Sequence, residues 1–96
     1  MAILNQVDIQ ARLRELSGWA IEDNGIRKQF VFKDFPGAVD FVARLVPGAE
    51  SADHHPDILI NYRKVTLTYS THSEGGITEK DFAGAAMAER VFERPR

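Results

Sequence analysis

Ninety-six residues with 44% hydrophobic content support one domain around one core, with some burial left for a partner subunit. A net charge of -2, with Lys and Arg scattered along the chain, argues against direct nucleic-acid binding because no basic stripe could neutralise a phosphate backbone. Cysteine is absent, which excludes disulfides, thiolate nucleophiles and cysteine-ligated metal. No apolar run approaches the roughly 20 residues of a membrane span, and the N-terminus has no signal-like pattern, so the expectation is a cytoplasmic protein without membrane contact.

In residues 5–16, Ile9, Leu13 and Leu16 fall at i, i+4 and i+7 behind Asn5 and Asp8, the pattern of a capped amphipathic helix ended by Gly18. Residues 19–22 read as a short strand. Asp23-Asn24-Gly25 reads as a hairpin turn in which Asn and Gly supply positive φ. Residues 26–33 alternate, with Ile26, Phe30 and Phe32 on one face and Arg27, Gln29 and Lys33 on the other, as in a half-buried antiparallel strand. Asp34 caps a second helix whose apolar stripe reads Phe35, Val39, Val42, Val46 and Ala49. Pro47-Gly48 predicts a kink or break in it, because proline removes the bond to the Ala43 carbonyl.

A second hairpin follows, residues 58–62 and 65–71 around a turn at Arg63-Lys64. Val65, Leu67 and Tyr69 share one face of its last strand, and Thr66, Thr68, Ser70 and His72 the other. Thr78 and Asp81 form a capping-box start to a third helix carrying Phe82, Ala85, Ala86, Ala88 and Phe92, and residues 93–96 read as a frayed tail. The order helix, two strands, helix, two strands, helix predicts an α+β class: a four-stranded antiparallel sheet with three helices packed on one face, as a single domain over 1–96.

The three histidines are the chemical signal. His54 and His55 stand where the second helix gives way to a strand, and His72 ends the next strand, so an antiparallel hairpin brings all three to one sheet edge. Imidazole titrates near neutrality and can both give and take protons, which suits acid/base catalysis. Three imidazoles with a carboxylate could also bind zinc. Adjacent residues in extended backbone point apart, however, and no helical His-x-x-x-His pair exists, so no metal is expected. Glu50, four residues before His54, could orient an imidazole or be a solvated helix charge. Asp81 has a structural explanation in the capping box that is compatible with a site role. Trp19 and Tyr62 fit core or edge positions, or the wall of a flat heterocycle's site. Ser70, Thr71 and Ser73 could hydrogen-bond a planar ring, although β-propensity alone explains such hydroxyls on a strand.

The pattern Glu50-x3-His54-His55-Pro56-x5-Tyr62-x9-His72-x8-Asp81 resembles the signature of the pterin-4a-carbinolamine dehydratases, over nearly the whole chain from Leu16-Ser17-Gly18-Trp19 to the third helix. The resemblance implies dehydration of 4a-hydroxytetrahydropterin to quinonoid dihydropterin in tetrahydrobiopterin recycling, without a cofactor. It implies a pterin site at His54, His55, Pro56, Thr71, His72, Ser73 and Glu74, with the three histidines catalytic and Glu50 and Asp81 in support. It also implies a homodimer or homotetramer. Animal members double as dimerisation cofactors of a homeodomain transcription factor, which leaves a non-enzymatic pterin- or protein-binding module as the alternative, and another heterocycle such as a molybdopterin-related compound as a third reading. Pro47-Gly48 departs from the continuous second helix expected of the family.

Overall fold

Local capping chemistry starts each helix. In the computed structural model, which describes residues 3–94, the Asn5 side chain accepts the Asp8 N–H at 2.9 Å and opens α1 (Gln6–Leu13). Asp34 accepts the Gly37 N–H at 2.8 Å and opens α2 (Phe35–Ala52), whose first turn also carries a proline. Thr78 and Asp81 close a reciprocal capping box on α3 (Glu79–Glu93). Helix α1 stops short of Leu16 because the next turns tighten: Glu15 N–H bonds the Arg12 carbonyl and Leu16 N–H that of Leu13, winding the chain to Gly18 at φ +89°. Of the expected frayed tail, Glu93 still belongs to α3 and Arg94 caps it, while residues 95–96 lie outside the described residues.

Strands β1 (Ala20–Glu22), β2 (Gly25–Val31), β3 (Asp57–Asn61) and β4 (Lys64–Tyr69) form one antiparallel sheet in the order β1-β2-β4-β3. The class is α+β, as expected. Each hairpin turn differs from expectation by a residue. Asp23 rather than Asn24 or Gly25 takes positive φ (54°), and Tyr62, also at φ 54°, turns the second hairpin one residue earlier than Arg63-Lys64. Gly25 is needed for closeness instead, since a Cβ there would lie 2.6 Å from the Tyr69 carbonyl oxygen.

Pairing across the sheet puts Ile26 opposite Tyr69 and Phe30 opposite Val65, and these residues with Leu67 are buried beneath the helices. Lys28 points to the same face but keeps its ammonium at the rim, where Nζ donates to Glu89 at 2.7 Å and to the Ser17 carbonyl at 3.0 Å. Trp19 Nε1 donates to the same Glu89 oxygen at 2.8 Å, tying β1's approach to α3. The opposite face carries Arg27, Gln29, Thr66, Thr68, Asp57 and Leu59 by strand alternation.

Helix α2 departs most from its sequence pattern. It runs unbroken through Pro47, where a kink or break is expected. Both Pro47 and Ala43 are exposed, so the carbonyl that loses its partner faces water rather than the core. The adjoining Gly48 lets α3 approach, since a Cβ there would stand 2.8 Å from Met87 Sδ. The core-facing stripe is Ala38, Phe41, Leu45 and Ala49, with Val42 half-buried, whereas Phe35, Val39 and Val46 form a second, exposed apolar stripe. In α3 the buried set is Phe82, Ala85, Ala88 and Val91. Ala86 is half-buried, and Phe92 packs its ring at the flank against Phe30 and Phe32 at centroid distances of 5.0 and 5.5 Å.

Because the orphaned carbonyl is already solvated and only the helix bond and ring clash are recovered, Pro47→Ala is expected to stabilise the protein by about 1–3 kcal/mol. Urea denaturation reads this as a raised midpoint at constant slope.

Candidate active site

Three segments meet at the end of the sheet remote from the Tyr62 turn. The first leaves α2 through Asp53, whose left-handed backbone (φ 51°, ψ 44°) lets its own N–H and that of His54 bond back to the last carbonyls of the helix. That reversal turns His54 under the start of α3, and Pro56 leads into β3. The second is the 71–76 loop after β4, pinched by the Thr71–Gly76 bridge and by Gly75 N–H bonds to the Thr71 and His72 carbonyls. The third is the first turn of α3.

Asp81 joins them. Its carboxylate is fully buried and accepts the His54 Nε2–H at 2.7 Å on Oδ1, with the Thr71 hydroxyl at 3.0 Å and the Thr78 N–H at 2.9 Å on Oδ2. Since Thr71 gives its proton to the carboxylate, the Thr78 hydroxyl must donate to Thr71 across 2.7 Å, and Thr78 Oγ1 accepts the Lys80 N–H at 3.2 Å. With Nε2–H committed to Asp81, neutral His54 has its free lone pair on Nδ1. The imidazole is held from below by Tyr69, stacked at 6.1 Å and 25°, and only 12% of its side chain is exposed.

His55 points elsewhere: its Nε2 meets Glu50 at 2.6 Å in a solvent-exposed pair. Glu50 therefore serves His55, not His54, because the left-handed turn at Asp53 rotates the two imidazoles apart. His72 Nε2 lies 3.2 Å from the Ser70 hydroxyl, and Ser73 and Glu74 are exposed on the same loop. Each imidazole lines a cavity at this end of the sheet. His72 lines a cavity of about 540 Å³ with Thr71, Ser70 and Asp57 on the sheet's uncovered side. His54 lines about 270 Å³ between α2 and α3, and His55 with Pro56 and Glu50 about 200 Å³ of apolar niche beside Val42 and Ile58. Tyr69, under His54, belongs to the helix-covered face, and His55 lies on that side too beside α2, whereas Ser70 and His72 line the cavity on the other.

Trp19 is core, with its N–H spent on Glu89, and Tyr62 sits at the far hairpin turn, so neither walls this site. Sequence reasoning left Thr71 and Thr78 without their shared bonds to Asp81 and passed over Asp57. The capping box was the available signal for the first, since it fixes Asp81 at the helix start that β4 runs towards. Among the described residues, no group of three or more His, Asp or Glu side chains could hold a metal ion.

Comparison with known proteins gives a consistent picture. The sequence model described as "Pterin 4 alpha carbinolamine dehydratase" matches residues 2–91. A Sulfolobus acidocaldarius protein named "Putative pterin-4-alpha-carbinolamine dehydratase" is 46% identical over 88 residues, covering 92% of this chain and 97% of its own. A Picosynechococcus relative of the same name is 52% identical over 88 residues, covering 92% and 96%. A crystal structure described as "transcriptional coactivator/pterin dehydratase" from Brucella melitensis superposes with a TM-score of 0.88 at 37% identity, covering 93% of this chain and 97% of that one.

Two outcomes follow from the buried network. Asp81→Ala removes the reciprocal half of the capping box and leaves its three donors without their acceptor, and is expected to cost about 2–4 kcal/mol of stability by chemical denaturation. Burial pushes the Tyr69 phenol from its ordinary 10.0 up to about 12. The folded state thus keeps its proton where the unfolded state loses it, so this stability is intact below about pH 10 and is lost as pH rises towards 12. Alkaline unfolding in that window, with phenolate absorbance of Tyr69 appearing alongside it and absent in Tyr69→Phe, is the expected observation.

Proposed function

Since the chain belongs to the pterin 4 alpha carbinolamine dehydratase family, we propose that it dehydrates 4a-hydroxytetrahydropterin to quinonoid dihydropterin and water by histidine acid/base catalysis. The observation that carries this reading is the Asp81–His54 couple. A fully buried carboxylate is costly to keep, and here it fixes the tautomer of an imidazole whose other nitrogen remains for chemistry. On the far side of Thr71, whose hydroxyl binds the same carboxylate, stands His72 at the mouth of the cavity of about 540 Å³.

Loss of water from C4a needs one proton delivered to the leaving hydroxyl and one removed from a ring nitrogen. Two imidazoles, each able to give and take a proton, can divide these tasks without a metal or cofactor. In this reading His54 and His72 transfer the protons from either side of Thr71. His55, with its exposed Glu50 partner, binds the ring together with Pro56 and the 71–74 segment. The exposed stripe Phe35, Val39 and Val46 on α2 supports assembly as a homodimer or homotetramer. No helix is long and apolar enough to cross a membrane among the described residues.

The same apolar stripe favours a second reading, a module that binds a protein partner as a coactivator and retains the pocket without turnover. One assay separates the two: the protein should accelerate carbinolamine dehydration, and His72→Ala should lower the rate by about 10² or more with the fold intact by circular dichroism. Near-native turnover in that variant removes His72 from the mechanism, and binding without turnover in the unmodified protein selects the module.

A further inference from the structure

The cavity that holds His72 has a wall that the family signature does not include. Opposite the 70–76 loop it is closed by the β1–β2 turn and by Asp57, the first residue of β3. Asp57 pairs with Thr68, which pairs in turn with Arg27, so the three side chains stand in one row on the uncovered face. Ser70 and His72 continue the Thr68 side of that row.

The lining is rich in acceptors and contains no Lys or Arg. Arg27, in the adjoining row position, is held by Glu22 at 2.7 Å, and this ion pair neutralises the Glu22 carboxylate. The Asp57 carboxylate is left with no hydrogen-bond or ion-pair partner among the described residues, and it is seated on a strand rather than on the β1–β2 turn. A space of about 540 Å³ is ample for a bicyclic heterocycle. Its electrostatics disfavour an anion and favour a ring edge that presents N–H donors.

We propose that Asp57 is a specificity-determining residue of this site, accepting the paired N–H donors of the ring's 2-amino and N3 positions while His72 faces the reacting side. A carboxylate suits that edge because its two oxygens match two adjacent N–H groups, as they match the fork of a guanidinium. The inference rests on the pterin reading above and deepens it by naming the group that would recognise the aminopyrimidine half of the substrate. It also explains why an unpaired charge occupies the strand start next to Pro56. A ring with a 2-oxo group in place of the amine loses one donor of the pair and faces the carboxylate with an acceptor, so the site would reject it.

The test compares the unmodified protein with Asp57→Asn, which preserves shape at an exposed position. Equilibrium binding of 7,8-dihydropterin and of its 2-oxo counterpart, a dihydrolumazine, is measured beside carbinolamine kinetics. Asp57→Asn is expected to weaken dihydropterin binding and raise KM by about tenfold, leave kcat within about twofold, and strengthen the weaker dihydrolumazine binding, because an amide offers one donor and one acceptor to the N3–H and 2-oxo edge. Equal dihydropterin affinity in the two proteins, or an equal loss for both ligands, overturns the role of Asp57 while the dehydratase reading stands. An unmodified protein that neither binds dihydropterin nor dehydrates the carbinolamine overturns the dehydratase reading itself, and this inference with it.

Discussion

The architecture of this corner depends on one buried carboxylate. Asp81 is fully buried, and an ionisable group in that position is tolerated only when its oxygens are met by donors. Those donors come from a threonine after β4, the backbone at the start of α3, and a histidine after α2. Three elements far apart in the chain are therefore registered against each other by a single side chain. The requirement to satisfy Asp81 makes the placement of His54 a consequence of folding rather than of local sequence.

The same carboxylate links the structure to the chemistry proposed for His54. A capping box needs an acid at the third helical position, and an imidazole used in proton transfer needs a partner that fixes its tautomer. One residue meets both needs because its two oxygens face different ways, Oδ2 towards Thr71 and the Thr78 N–H and Oδ1 towards His54. Tyr69 completes the support from below. Its ring is wedged so closely against Gly84 that a Cβ there would overlap it, and its buried hydroxyl has no hydrogen-bond partner among the described residues. An unsatisfied phenol beneath the imidazole is a local cost, tolerated where a flat ring of that size fills the space.

Surface and core divide α2 in a way that also bears on function. The helix carries two apolar stripes, one buried through Phe41 and Leu45 and one exposed through Phe35, Val39 and Val46. The exposed stripe lies beside the niche lined by His55 and Pro56, which Val46 also lines.

Much of this was legible in the sequence alone because its causes are local. Asn5, Asp34 and Thr78 cap helices through bonds to backbone within three residues, and Val65, Leu67 and Tyr69 alternate as strand geometry demands, so element order and class follow directly. The histidine spacing likewise marked the end of the sheet where chemistry was to be sought. What only the tertiary structure decided has non-local causes. The face of α2 that enters the core depends on where the sheet lies, and the continuity of that helix through Pro47 depends on that side facing water. The pairing of Glu50 with His55 and of Asp81 with His54 depends on one left-handed residue, Asp53, and His72 reaches the uncovered side of the sheet while His54 and His55 stay on the side of α2. Spacing along a chain encodes neighbours within a turn or a strand, but not the direction in which a side chain leaves a junction between elements. That direction is set by packing and by the donors a buried charge must find.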